Sequence, residues 1–251
     1  MAVLSSLWDG LSDHLIAEFY EVEASGADWV RKADGPSVRA PLSEASMEFD
    51  LNWQSPFEQA GPESKAPALM AMLQSGQLSP FVEAIVGKEG GIAAKSKEFL
   101  SEFEGRTGVT KLNSTQVFNG MPPVKITCTA LFRAWRSGAT EVEAPVEQLF
   151  QWALPQELSK DGSVVARSIN YAKGDGPGVV ATLMPSLSPV KVAMTYKGRL
   201  YSPLVIESIG YPISSPVNSS GHFVQLAIPM TLATLTAIDK NDWTNAKINT
   251  L

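Results

Sequence analysis

Chemistry in this chain would have to be built from few residues: two histidines, His14 and His222, a single cysteine, Cys128, and the neighbouring acids Glu141 and Glu143. A metal site needs His, Cys or carboxylate ligands at short, regular spacing, and His14, Cys128 and His222 lie far apart in sequence. No metal is expected. A thiol nucleophile needs a base beside it. Cys128 has no histidine near it in sequence and sits in the middle of an alternating apolar run, the place for a small buried hydrophobe. Glu141 and Glu143 point the same way along an extended chain, so they read as a general acid and base, the chemistry of a cell-wall hydrolase. The same holds for any alternating pair of acids, and they read better as acids set at the positive N-terminus of a following helix, where they catalyse nothing. The glycine-rich stretches Gly87-Lys-Glu-Gly-Gly91 and Gly174-Asp-Gly-Pro-Gly178 lack the Gly-Lys-Ser/Thr or GxGxxG arrangement that cradles phosphate, and read as loops. No catalytic, cofactor-binding or metal-binding residue is assigned.

The six tryptophans, Trp8, Trp29, Trp53, Trp135, Trp152 and Trp243, could supply stacking surfaces for sugars or bases. Trp53 and Trp152 fall on the apolar faces of their elements and are expected to pack in a core. Trp135 differs, because it ends a strand between Arg133 and Arg136, and interfaces concentrate their binding energy in Trp and Arg. Arg133, Trp135 and Arg136 are the interface candidates.

The elements that must position these residues are mostly strands. Val124, Ile126, Cys128, Ala130 and Phe132 alternate with Lys125, Thr127, Thr129, Leu131 and Arg133, which predicts a strand with two unlike faces. Ser137, Gly138 and Ala139 break it. The run Glu141-Val-Glu-Ala-Pro145 then leads into Val146, Leu149, Phe150 and Trp152, one apolar stripe on a helix that must stop at Leu154, before Pro155. Val190–Tyr196, the turn Lys197-Gly198 and Arg199–Ile209 predict a hairpin. A final hairpin is expected from Tyr211–Pro216 and His222–Thr234, with both faces of its second arm covered. Met47, Phe49, Leu51 and Trp53 alternate with polar residues, giving a strand that ends at Ser55-Pro56. Leu11, Leu15, Phe19 and Val22 are spaced for one face of a short helix. Further helices are expected over 67–74, 79–86 and 92–105, with Pro67 in the first turn of one and Gly105 stopping another.

Composition narrows the partners. With 44% hydrophobic and 18% charged residues the chain is globular rather than disordered. A net charge of −6 opposes tight, sequence-independent nucleic-acid binding, which needs a basic footprint. One cysteine excludes an intrachain disulfide. Met1–Gly10 lacks a basic region and a long apolar run, and no stretch approaches a membrane span, so neither a secretory signal nor membrane insertion is expected.

The order of elements carries a resemblance. The strand opening in Val117-Phe-Asn-Gly-Met-Pro-Pro-Val124, the arm Ile126–Trp135, the helix entry Glu141–Leu149, the stop Trp152-Ala-Leu-Pro155 and the closing Val224-Gln-Leu-Ala-Ile-Pro-Met-Thr-Leu232 together resemble the tail-tube-type baseplate proteins of contractile-tailed bacteriophages. The resemblance covers about residues 45–58 and 115–239. It implies a mainly β fold with α, an antiparallel β-sandwich or barrel with a flanking helix, here with a helical insertion at about 61–110 and an N-terminal arm over 1–44, all in a single domain spanning 1–251. It further implies a non-enzymatic virion structural protein without a cofactor. Such a protein assembles into a homo-oligomeric ring, hexameric in that family, and meets tail-tube, sheath and baseplate proteins while DNA passes without specific binding. The insertion departs from a minimal tube subunit and favours a tube initiator or adaptor. The competing readings are a baseplate-associated cell-wall hydrolase and a glycan-binding β-sandwich module.

Overall fold

The computed structural model describes residues 2–54, 115–158, 184 and 186–248. The chain divides into two compact units, Met1–Asp50 with Pro122–Leu251, and Leu51–Met121. In chain order the described strands are β1 (Val3–Ser5), β2 (Ile16–Ser25), β3 (Asp28–Arg31), β4 (Ser37–Glu48), β5 (Asn52–Gln54), β6 (Val117–Gly120), β7 (Lys125–Arg133), β8 (Lys191–Tyr196), β9 (Arg199–Ile209) and β10 (Gln225–Thr234). Two α-helices accompany them among the described residues, α1 (Ala144–Ala153) and α2 (Lys240–Asn245). The protein is mainly β with α.

In the first unit antiparallel ladders run from β4 through β7, β10, β9 and β8 to β2, and β2 pairs back onto β4. These strands therefore close into a barrel, which removes free edges from its wall. β1 adds in parallel to the start of β4, and β3 extends β2.

The closure follows from period-2 patterning. Ile126, Cys128, Ala130 and Phe132 of β7 are buried, and the register sets them against Leu232, Met230, Ile228 and Leu226 of β10, also buried. Ala17 and Phe19, Val38 and Ala40, Val192 and Met194, and Leu204 complete the same core from the other strands. Each large aliphatic or aromatic side chain so buried contributes about 1.5–3 kcal/mol. Val146, Leu149 and Trp152 of α1 join this core, and the helix packs against β9 and β4. One turn of π-helix, Ala139–Glu143, precedes α1, and Leu154 is extended at its end, as the following proline requires. The β8–β9 turn places Lys197 and Gly198 both at positive φ, the backbone of a two-residue hairpin turn matched to strand twist.

Several elements differ from expectation. The predicted helix around 11–22 is β2 for most of its length: Ala17 and Phe19 alternate with Glu18 and Tyr20, and pairing with β4 and β8 overrides the helical spacing. Residues 1–44, expected as an arm, supply β1 to β3 and most of β4. β4 stops at Glu48, so Phe49 and Leu51 are exposed, and the next strand, β5, pairs among the described strands with β6 in the second unit. There Trp53, expected in a core, is half exposed and packs on Phe118 with ring centroids 5.4 Å apart. The closing hairpin is formed differently too. β10 pairs with β9 and β7, while residues 211–216 form no strand and Val217 bridges Phe223 alone. Only one face of β10 is fully covered, since Gln225 and Pro229 are exposed. The helices expected over 67–74, 79–86 and 92–105, the insertion at about 61–110 and both glycine-rich stretches lie outside the described residues.

Candidate functional site

The candidate site is the corner where β7 leaves the barrel. Arg133 is the last residue of β7, and the ladder continues one step further, with the Ala134 N–H donating to the Val224 carbonyl at 2.8 Å. Beyond it the chain turns outward, and Trp135 is 58% exposed. The Arg133 guanidinium lies over the Trp135 ring, 4.7 Å from its centroid, within cation–π range. Arg136 follows, also exposed. The structure thus joins Arg133 and Trp135 into one surface feature, and Arg136 shares the turn that carries them.

That turn is held from beneath. Glu141 is only 7% exposed, and its Oε2 accepts the backbone N–H groups of Trp135, at 2.5 Å, and Arg136, at 3.1 Å. Bonds from amides to a carboxylate are stronger than neutral ones. Ser6, buried just past β1, bridges the same corner: its hydroxyl donates to the Glu141 carbonyl at 2.8 Å and accepts the Arg133 N–H at 3.0 Å.

Glu143 holds the neighbouring loop. Its Oε1 accepts the Phe223 N–H at 3.0 Å, and its Oε2 lies 2.8 Å from His222 Nδ1. Partial burial works against ionising this carboxyl, but the Phe223 amide and His222 outweigh it and hold the group below its ordinary value. Gly138 permits the approach, because a Cβ there would meet the Phe223 carbonyl oxygen at 2.5 Å and His222 Cβ at 2.9 Å.

Each of the two acids thus clamps a separate piece of backbone, Glu141 the Trp135–Arg136 turn and Glu143 the loop at Phe223. Cys128 is 4% exposed in the barrel core, and burial pushes its thiol up to about 12, so it stays protonated and inert at neutral pH. His14 lies exposed at the surface, away from buried Cys128, and among the described residues only His222 finds a carboxylate. Among the described residues no group of three or more His, Cys, Asp or Glu could hold a metal ion, and no helix is long and apolar enough to cross a membrane.

No model of a known protein family matches the chain, and no curated protein matches it.

Sequence reasoning named Arg133, Trp135 and Arg136 but missed Ser6, Gly138, His222 and Phe223, which shape their surroundings. The Ser6 bond to Arg133 spans 127 positions of sequence and the Phe223 bond to Glu143 spans 80, distances at which local pattern carries no signal.

Proposed function

We propose that the chain is a non-enzymatic virion structural protein of a contractile phage tail, which forms or joins a ring at the baseplate hub or tail tube and links the tube to baseplate or sheath. The observation that carries this reading is the exposed Trp135 with Arg133 stacked on it, presented on a turn fixed by Glu141. A large aromatic side chain and an arginine, ordered before contact, make the kind of anchor on which interfaces depend, because little entropy remains to be lost on docking. The barrel wall closes on itself, so a neighbouring subunit would meet such side-chain anchors rather than an open strand edge of the barrel.

The hydrolase reading needs a carboxylate oxygen turned toward substrate. Glu143 spends both oxygens, on the Phe223 amide and His222, and Glu141 spends Oε2 on two backbone amides from a buried position, which favours the structural reading.

The test is incorporation. Purified protein, tagged and mixed with an extract of tail parts lacking it, should enter particles of tail or baseplate size and be retained there. A protein that stays monomeric alone and never enters particles would overturn the proposal. A lytic activity lost in Glu141→Gln and Glu143→Gln would replace it with the hydrolase.

A further inference from the structure

A cleft of about 710 Å³ opens between the start of β3, the first half of β9, the segment after β10, and α2. That size lies within the range of roughly 300–1,000 Å³ common to small-molecule sites. It belongs to the barrel unit and shares no residue with the Trp135 corner. Its walls carry three aromatic side chains, Trp29, Tyr201 and Trp243.

Trp243 is held from outside the cleft. The Arg199 guanidinium lies 3.9 Å from its ring centroid and donates to its backbone carbonyl at 3.1 Å, while Phe49 packs on it in a T-shaped contact at 5.7 Å. The ring is still 39% exposed. Between the aromatics stand the Tyr201 and Thr236 hydroxyls and the Asn245 amide, which both give and accept hydrogen bonds, and the Asp28 carboxylate, which accepts them. None of these side chains has a hydrogen-bond partner among the described residues. No Lys or Arg is among the residues that line the cleft.

We infer that this cleft binds a neutral saccharide. Sugar rings offer apolar C–H faces to aromatic side chains and a rim of hydroxyls to amides, hydroxyls and carboxylates, and the cleft offers both sets of partners. A phosphate or sulfate ligand would need the basic side chains that the lining lacks, and would be repelled by Asp28 and Asp242. The inference does not depend on the ring-forming role, since no residue is shared between the two sites.

The full chain, titrated with chitotriose, cellotriose and maltotriose and followed by tryptophan emission, tests this, with trilysine as the charged control. At least one trisaccharide should saturate the signal, and Trp29→Ala should weaken that binding by about tenfold, the effect of losing one good stacking contact. Asn245→Ala, on an exposed helical position, should weaken it as well at an unchanged melting temperature. Failure of all three sugars to saturate at about 10 mM, a range where binding is barely favourable, would overturn the inference. So would a preference for trilysine, or sugar binding indifferent to both substitutions.

Discussion

Glu141 accepts the backbone N–H of Trp135 across six positions of sequence, from inside a turn that leaves the Trp135 ring in solvent. A buried acid thus holds an exposed aromatic side chain by its backbone, separating what fixes the corner from what the corner presents.

Replacing that acid should loosen the corner. Glu141→Ala leaves the part-buried N–H groups of Trp135 and Arg136 without their acceptor, and the fold should lose about 2–4 kcal/mol, from about 1–3 kcal/mol per orphaned group less what water recovers. Glu141→Gln keeps one acceptor oxygen and should cost less than half as much. Urea denaturation of both variants checks this, and equal losses would show that the acceptor is immaterial.

Gly138 makes a separate prediction. Gly138→Ala drives a methyl group into the Phe223 carbonyl and His222 Cβ, so the loop must shift, at a cost of about 1–3 kcal/mol. The amide signals of His222 and Phe223 should move in NMR spectra while those of the distant β8–β9 turn stay in place.

The Glu143 clamp sets a pH dependence. Its folded carboxyl sits below the ordinary value, so ionised Glu143 stabilises the fold at neutral pH, and that contribution disappears as pH falls through the depressed value. Wild type should therefore melt above Glu143→Gln at pH 7, and the gap should narrow below about pH 4, where free carboxyls protonate. A gap that widens in acid would have the wrong sign for this clamp.

Cys128 should be silent in the folded state. At pH 8 a thiol reagent should modify it at least a hundredfold more slowly in buffer than in denaturing urea, because reaction requires opening of the barrel. Comparable rates would place the thiol at the surface.

How much of this was legible depends on the range of the interactions. The alternation from Val124 to Phe132 names the buried face of β7 outright, and Lys197-Gly198 marks the β8–β9 turn, because both signals are local. The stripe Val146, Leu149 and Trp152 likewise gives α1, and Pro155 its end. The N-terminal strands were obscured, since Leu11, Leu15, Phe19 and Val22 also fit a helix, and only pairing with β4 and β8 decides between the periods. Trp53 was misplaced because an alternating pattern does not say whether anything covers its apolar face. α2 had a readable start in Asp239 and Asp242, which cap each other's backbone, but a helix of 6 residues leaves little apolar period to notice. At the candidate site the presenting residues were legible by type; their supports, Ser6, His222 and Phe223, arrive from distant segments through tertiary contact.

The central claim is that Trp135 serves assembly and not the stability of the subunit. Sedimentation velocity of wild type and Trp135→Ala over a range of concentrations, with and without tail extract, measures it most directly, alongside the melting temperature of each. Wild type should form ring-sized or particle-bound species while Trp135→Ala remains a monomer with a nearly unchanged melting temperature. Equal assembly by both proteins, or a melting temperature that falls as far as assembly does, would contradict it.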